Sequence, residues 1–353
     1  MFALLFVNTL KAYDIKAMPT VSSNPTSGTG GGLMGTLIYH TDEGSSPSQT
    51  IATAQYTNTD SYSILMLNNM YFNNDTWHSM TGGGYIYNNT SLTLPALPDF
   101  TPTYIADGVD DVKIKAKVFI LFQQIFYNIY DKFYIGAQIF YIDQEIEATN
   151  DEGAMFINEM GIEDSKRTAF GPLFQYDTRS KSEKFYPRNS YNVQLSFNYF
   201  PSDGAFYNTN LNVSMYKHGF KSDDVIAAQF YTKYCSEDTP DGALATLGAR
   251  NVLRGFPMGQ YKARQLTALQ TEYRYEITNT NFRLTTFAGA ANLSKGSMGT
   301  GDGNRNSNNG NYYSGGIGTH YMLQKKAGID YRVNLVYNSD EEISVYATIN
   351  QAF

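Results

Sequence analysis

Tyr191-Asn192-Val193-Gln194-Leu195-Ser196-Phe197-Asn198-Tyr199-Phe200 alternates apolar and polar side chains up to its last residue. Tyr191, Val193, Leu195, Phe197 and Tyr199 share one face; Asn192, Gln194, Ser196 and Asn198 share the other. A period of two belongs to an extended strand whose two faces meet different surroundings. The pattern recurs further along. Leu269, Tyr273, Tyr275 and Ile277 oppose Gln270, Glu272, Arg274 and Glu276, and Ile329, Tyr331, Val333, Leu335 and Tyr337 oppose Asp330, Arg332 and Asn334.

What the two faces meet decides between a soluble sandwich and a membrane barrel. A sandwich buries its apolar face and seldom lines its outside with aromatics. A membrane barrel turns that face to lipid and keeps Asn, Gln, Ser and paired charges in its lumen. Tyr 29 and Phe 22 lift the aromatic fraction to 15%, while charged residues make up only 17%. The strands follow one another without helical periods between them, which argues against a parallel α/β sheet. The sequence therefore predicts an all-β, antiparallel transmembrane β-barrel.

Working outward, strands fall near 225–234, 264–277, 281–291, 312–322, 327–338 and 342–353. Long connections (235–263, 292–311) alternate with short ones (278–280, 323–326) through most of this stretch, as outer loops alternate with inner turns. The last strand sets Ile343, Val345, Ala347, Ile349 and Phe353 on one face and ends on an aromatic. The same spacing over 353 residues gives about 16 strands, each spanning roughly 9 to 11 residues. An even count puts both termini on the periplasmic side. The apolar stretch 118–142 is broken by Gln123, Gln124, Asn128, Asp131 and Lys132, and reads as two strands around a turn at 130–132. Pro95–Asp111 reads as a long loop, and Gly30–Gly32 and Gly82–Gly84 as punctuation, with the barrel pattern starting by about Gly32. Residues 1–12, with the apolar run Phe2–Val7 and Ala12 before Tyr13, read as the remnant of a secretory signal peptide, the alternative being a first strand. Residues 13–353 form the barrel.

Composition excludes several function classes. Lys+Arg 26 against Asp+Glu 33 leaves a net charge of -7, without the basic footprint of a nucleic-acid binder. One cysteine, Cys235, rules out an internal disulfide framework and a cysteine-rich zinc site. Gly30-x-Gly32-x-x-Gly35 lacks the strand and helix of a dinucleotide loop, and Asp302-x-Asn304-x-Asn306 has Ser307 where a calcium loop needs glycine. His40, His78, His218 and His320 share no ligand spacing, and no Gly-x-Ser-x-Gly is present. The sequence predicts no cofactor, no metal and no enzyme. An envelope-lipid hydrolase is the lesser alternative.

Val252-Leu253-Arg254-Gly255-Phe256, then Gly259-Gln260-Tyr261 and Leu269-Gln270-Thr271-Glu272-Tyr273-Arg274, resembles the Omp85 superfamily. This is the bacterial surface antigen D15 family, of BamA/TamA type. Its hallmark is an Arg-Gly-Phe/Tyr tip on the sixth outer loop, followed here by five strands. Phe170-Gly171-Pro172 to Tyr176-Asp177-Thr178-Arg179, then Pro187, is similar to its mid-barrel signature, carried by Asp177 and Arg179. Gly316-x-Gly318 with Arg332 matches its penultimate hairpin, and Gln351-Ala352-Phe353 its usual ending, with Phe353 as C-terminal assembly signal.

The resemblance implies that loop 6 folds inward and that Arg254 meets acidic groups on the twelfth and thirteenth strands. Glu272 matches the first, with Arg274 beside it on the inward face. The second position lies in Phe287-Ala288-Gly289-Ala290-Ala291, which keeps the phenylalanine and lacks the aspartate. Arg254 is thus expected to pair with Glu272 and stack near Phe287. Asn334 stands for a common aspartate and Ser190 for a common glycine. The family's N-terminal POTRA modules have no counterpart in the pattern, so the expectation is a barrel-only member in the Gram-negative outer membrane. Its implied partners are outer-membrane lipids and lipopolysaccharide, the assembly machinery, and a separate periplasmic protein. The implied function is insertion or translocation of proteins or lipids through a lateral seam; the alternative is a passive pore or structural barrel.

Overall fold

The computed structural model describes residues 11–24, 28–94, 109–159, 164–201, 204–248, 252–256, 261–294, 309–324 and 328–349. Sixteen antiparallel strands curl into one ring. They are β1 (Lys11–Asn24), β2 (Gly28–His40), β3 (Ser48–Thr57), β4 (Tyr62–Phe72), β5 (Trp77–Leu94), β6 (Val109–Tyr130), β7 (Phe133–Ala148) and β8 (Ser165–Asp177). The second half continues with β9 (Ser190–Phe200), β10 (Phe206–His218), β11 (Val225–Cys235), β12 (Gln265–Glu276), β13 (Phe282–Ser294), β14 (Gly310–Gln324), β15 (Ile329–Asn338) and β16 (Ile343–Ile349). Each strand pairs with its chain neighbours.

The outside is apolar. Ile64, Met66, Leu121, Ile139, Leu269, Leu284, Ile317 and Leu335 are exposed around the ring. Exposed rings gather where strands end: Tyr127, Tyr130 and Phe133 flank the tight turn at 131–132, while Tyr56, Tyr62, Tyr199 and Tyr207 flank the loops at the opposite end. An apolar band between two aromatic girdles is the surface of an outer-membrane-type barrel. The end bearing the turns at 73–76, 131–132 and 277–281 is called inner below, and the other end outer.

The inward face follows the alternation of β12 and β15. Gln270, Glu272, Arg274 and Glu276 are buried inside, as are Asp330, Arg332 and Asn334. Ile329, expected on the lipid face, is instead buried with Met34 and Ile38 and packed by Met18, Ile51 and Leu323. It opens β15, where the strand has not yet reached the lipid band. Nor is the lumen polar throughout. On β3–β6, Ile51, Leu67 and Phe122 lie on the face that carries buried Tyr71, His78 and Phe126, through the register Ile51↔Leu67, Leu67↔Gly82 and Gly82↔Phe122.

Several N-terminal expectations need correction. Among the described residues the barrel already runs from Lys11, not from near Gly32, so positions 11–12 of the expected signal remnant belong to β1 while residues 1–10 lie outside the described residues; both glycine runs lie within strands, β2 and β5. A Cβ on Gly30 would stand 2.1 Å from the Tyr56 carbonyl oxygen, and one on Gly82 would stand 2.4 Å from the Phe122 ring. These glycines permit close approach rather than marking turns. Residues 109–111, read as loop, begin β6. The outer connection after β7 contains a helix, α1 (Asp151–Glu159), which the strand pattern gave no sign of.

Among the described residues the ring meets itself at one place only. There β1 and β16 share a single paired position, Ser23↔Ala347, whereas β16 pairs with β15 from Tyr331↔Ile349 to Tyr337↔Ile343.

Candidate functional site

The connection between β11 and β12 is the sixth outer loop, and it folds into the lumen. Its first part makes a short 3-10 turn (Asp241–Ala243), and Ala245–Thr246 pairs with Lys262–Ala263 as a two-stranded ribbon. Leu244, Leu247, Val252, Leu253 and Phe256 are buried against Tyr231, Leu266, Ala268, Ala291 and Leu293 of β11–β13. Small residues on the wall, Ala268 and Ala291, make room for the loop's leucines.

At the tip the chain turns sharply. Leu253 has φ 56 and Gly255 has φ 108. A Cβ on Gly255 would stand 2.9 Å from Val336 Cγ1, so glycine is required there by conformation and by space. Two side chains of the wall hold the tip backbone. The Asn338 amide donates to the Gly255 carbonyl (2.8 Å), and the Leu253 N–H donates to Gln270 Oε1 (3.3 Å). Gln270 in turn donates to Gln229, which donates to Asn212, an amide ladder over three strands.

Arg254 lies between these holds. Its Nη1 is 2.8 Å from Glu272 Oε2, and its guanidinium carbon is 3.5 Å from the Phe287 ring centroid. Glu272 also takes Arg274 Nε on its other oxygen at 2.7 Å. The structure thus brings together Arg254, Gly255, Glu272, Phe287 and Arg274. Burial pulls the Arg254 pKa down, and the Glu272 carboxylate opposes that pull. A guanidinium stays charged through such a shift and suits this stacked, paired position better than an ammonium would. Phe256 closes the tip against Tyr261 and Tyr312, and the Tyr261 hydroxyl donates to Asp340 at 2.7 Å.

No protein-family model matches this chain, and no curated protein matches it. Its fold has solved counterparts. BamA from Haemophilus ducreyi lacking POTRA domains 1-3 superposes with a TM-score of 0.56 at 14% identity, over 97% of this chain and 70% of that one. CdiB from Escherichia coli gives 0.62 at 10% identity, over 97% and 62%. CdiB from Acinetobacter baumannii gives 0.58 at 7% identity, over 97% and 59%. The chain spans about three-fifths of the length of the two CdiB chains. The chain shares the fold of the BamA and CdiB barrels.

The barrel carries a second built feature, at its inner end. Asp177 and Arg179 do not join the Arg254 group; they organise the 12-residue connection from β8 to β9, residues 178–189. Buried Asp177 accepts from Arg179 Nε (2.9 Å), Nη2 (3.0 Å) and N (3.0 Å), and from Lys184 Nζ (2.9 Å). Burial lowers the Lys184 pKa, and Asp177 works against that shift. From this knot the segment crosses the lumen as a strap. Lys181 reaches Asp75 and the Gly44 carbonyl on one side. Tyr186 meets Arg283 of β13, whose guanidinium lies 4.5 Å from its ring centroid, and Arg188 pairs with Asp223 and Glu276.

Sequence reading missed the strap's partners, Lys184, Tyr186, Arg188 and Arg283, and the loop's amide holds, Gln270 and Asn338. Inward parity on β12 and β13 could have flagged Gln270 and Arg283; nothing local marks Tyr186. Phe353 lies outside the described residues. Among the described residues no cluster of His, Cys, Asp or Glu is placed to hold a metal ion.

Proposed function

We propose that this chain is an integral outer-membrane barrel of Gram-negative envelopes that helps insert or translocate proteins or lipids through the seam between β1 and β16. In this reading loop 6, pinned by Arg254, holds the wall from β11 to β15 in shape beside the seam, and the chain carries no catalytic chemistry. One observation carries the proposal: among the described residues β1 and β16 share a single paired position, Ser23↔Ala347, whereas neighbouring strands elsewhere pair along ladders. An edge without ladder bonds leaves backbone donors and acceptors unpaired, and an incoming strand can satisfy them. Behind the seam, Met18, Met34 and Ile38 on one side and Leu323 and Ile329 on the other form an apolar latch. Such a latch yields at a lower cost than a hydrogen-bonded ladder. Outer-membrane lipid and a periplasmic escort for the client are the partners this mechanism requires.

The test is a lock across the seam. A Ser23→Cys/Ala347→Cys barrel, oxidised and reconstituted in liposomes, is compared with its reduced form in speeding the folding of a small unfolded outer-membrane protein. The proposal expects acceleration by the reduced barrel, none by the oxidised one, and recovery on reduction. Equal activity of both forms, or none in either, refutes it.

A further inference from the structure

We propose that the lumen wall around Arg332 binds a small free oxyanion of the phosphate or sulfate class, with Arg254 as its second arm. The inference is independent of what passes through the seam. Four guanidiniums, Arg254, Arg274, Arg283 and Arg332, and three carboxylates, Glu272, Glu276 and Asp330, are buried on the inward side of β12–β15 and loop 6. All three carboxylates are committed, Glu276 to Arg188 of the strap. Glu272 holds Arg254 and Arg274 on separate oxygens. Asp330 Oδ2 takes Arg283 Nη1 at 3.0 Å, with His320 Nδ1 at 3.7 Å.

Arg332 is left over. It is 2% exposed, and among the described residues no carboxylate lies within ion-pair distance of it. Its Nε and Nη1 have no hydrogen-bond acceptor, and Arg254 Nε and Nη2 have none either. Glu272 and Asp330 attract Arg332 from beyond ion-pair distance, Arg254 and Arg274 repel it, and the loss of water is the largest effect on it. A buried cation in that position destabilises the fold unless an anion joins it. Planar guanidinium forks match the oxygens of phosphate and sulfate, and two forks with free N–H groups supply the directional contacts. The ligand must be small and free, because loop 6 covers this wall from the outer end and the strap crosses below it.

Asn334 supplies the internal control. It is the next inward residue on β15 after Arg332, it is buried, and its Oδ1 has no donor. Asn334→Asp would place a carboxylate on the same face beside Arg332 and stand in for the ligand. Arg332→Gln would remove the cation that needs one.

The experiment is a titration of inorganic phosphate into the detergent-solubilised barrel, against sodium chloride at matched ionic strength. Bound phosphate is read by calorimetry and the unfolding midpoint by heat-modifiability. Wild type is expected to bind about one phosphate and to show a saturable rise in midpoint, as mass action on a native-state site requires. Asn334→Asp and Arg332→Gln should bind none, and Asn334→Asp without phosphate should melt near the phosphate-loaded wild type. An unsaturable rise of equal size in all three proteins would be the general effect of an excluded salt and would overturn the proposal. Absence of binding to wild type would overturn it as well.

Discussion

Glu272 is the residue on which the loop anchor turns, because two guanidiniums share its carboxylate. Glu272→Gln preserves shape and removes the charge, leaving Arg254 and Arg274 buried against an amide. The expected loss is about 3–5 kcal/mol, as for breaking other buried pairs from one side; denaturant unfolding of the solubilised barrel measures it. Arg254→Ala alone should cost less than Glu272→Gln, since Arg274 still serves the carboxylate. A double-mutant cycle of the two should show clear coupling, and strict additivity would mean they are not partners. Gly255→Ala is a separate test, since φ 108 and the 2.9 Å approach to Val336 both exclude a methyl group. Strain of this kind costs about 1–3 kcal/mol, and the midpoint should fall accordingly while Ala291→Gly, on the wall, should have a smaller effect.

Loop 6 and the strap are distinct devices, one held by Glu272 and Asn338, the other by Asp177. Asp177→Asn should free Arg179 and Lys184 and speed hydrogen exchange of amides in 178–189, with loop 6 amides unchanged. Joint acceleration of both segments would contradict their independence. Ile329→Ala probes the latch behind the seam: it should cost about 2–5 kcal/mol and speed thiol labelling of a cysteine placed at Ala347. At this scale the sequence was readable where a strand separates two solvents. β9, β12, β13 and β15 were legible because lipid and lumen select opposite residue types along them. β2 and β5 were obscured by the glycines that their close packing needs, and α1 and the strap by having no period of two. Arg254, Glu272 and Phe287 could be named in advance because a loop-tip motif and strand parity converge on them. The strap partners could not, since their proximity arises from the ring's curvature, which brings residues 97 apart, Tyr186 and Arg283, into contact.

At the scale of the molecule, loop 6 enters the ring from the outer end and the strap from the inner end, and among the described residues the β1–β16 junction has a single paired position. Loop 6 buries its leucines against β11–β13, and the strap crosses from β8 toward β13 and the 219–224 turn. On the proposed reading, with loop 6 and the strap reaching into the lumen, the line along β1 and β16 is the path of least resistance through the wall. A passive pore would require the opposite arrangement, an open axis and a zipped wall. Planar-bilayer recording of single channels, for wild type and Arg254→Ala, tests this most directly. The account predicts a closed or briefly flickering wild type, and a stably open channel once the arginine that pins loop 6 is removed. A large, steady conductance in wild type, unchanged in Arg254→Ala, would contradict it.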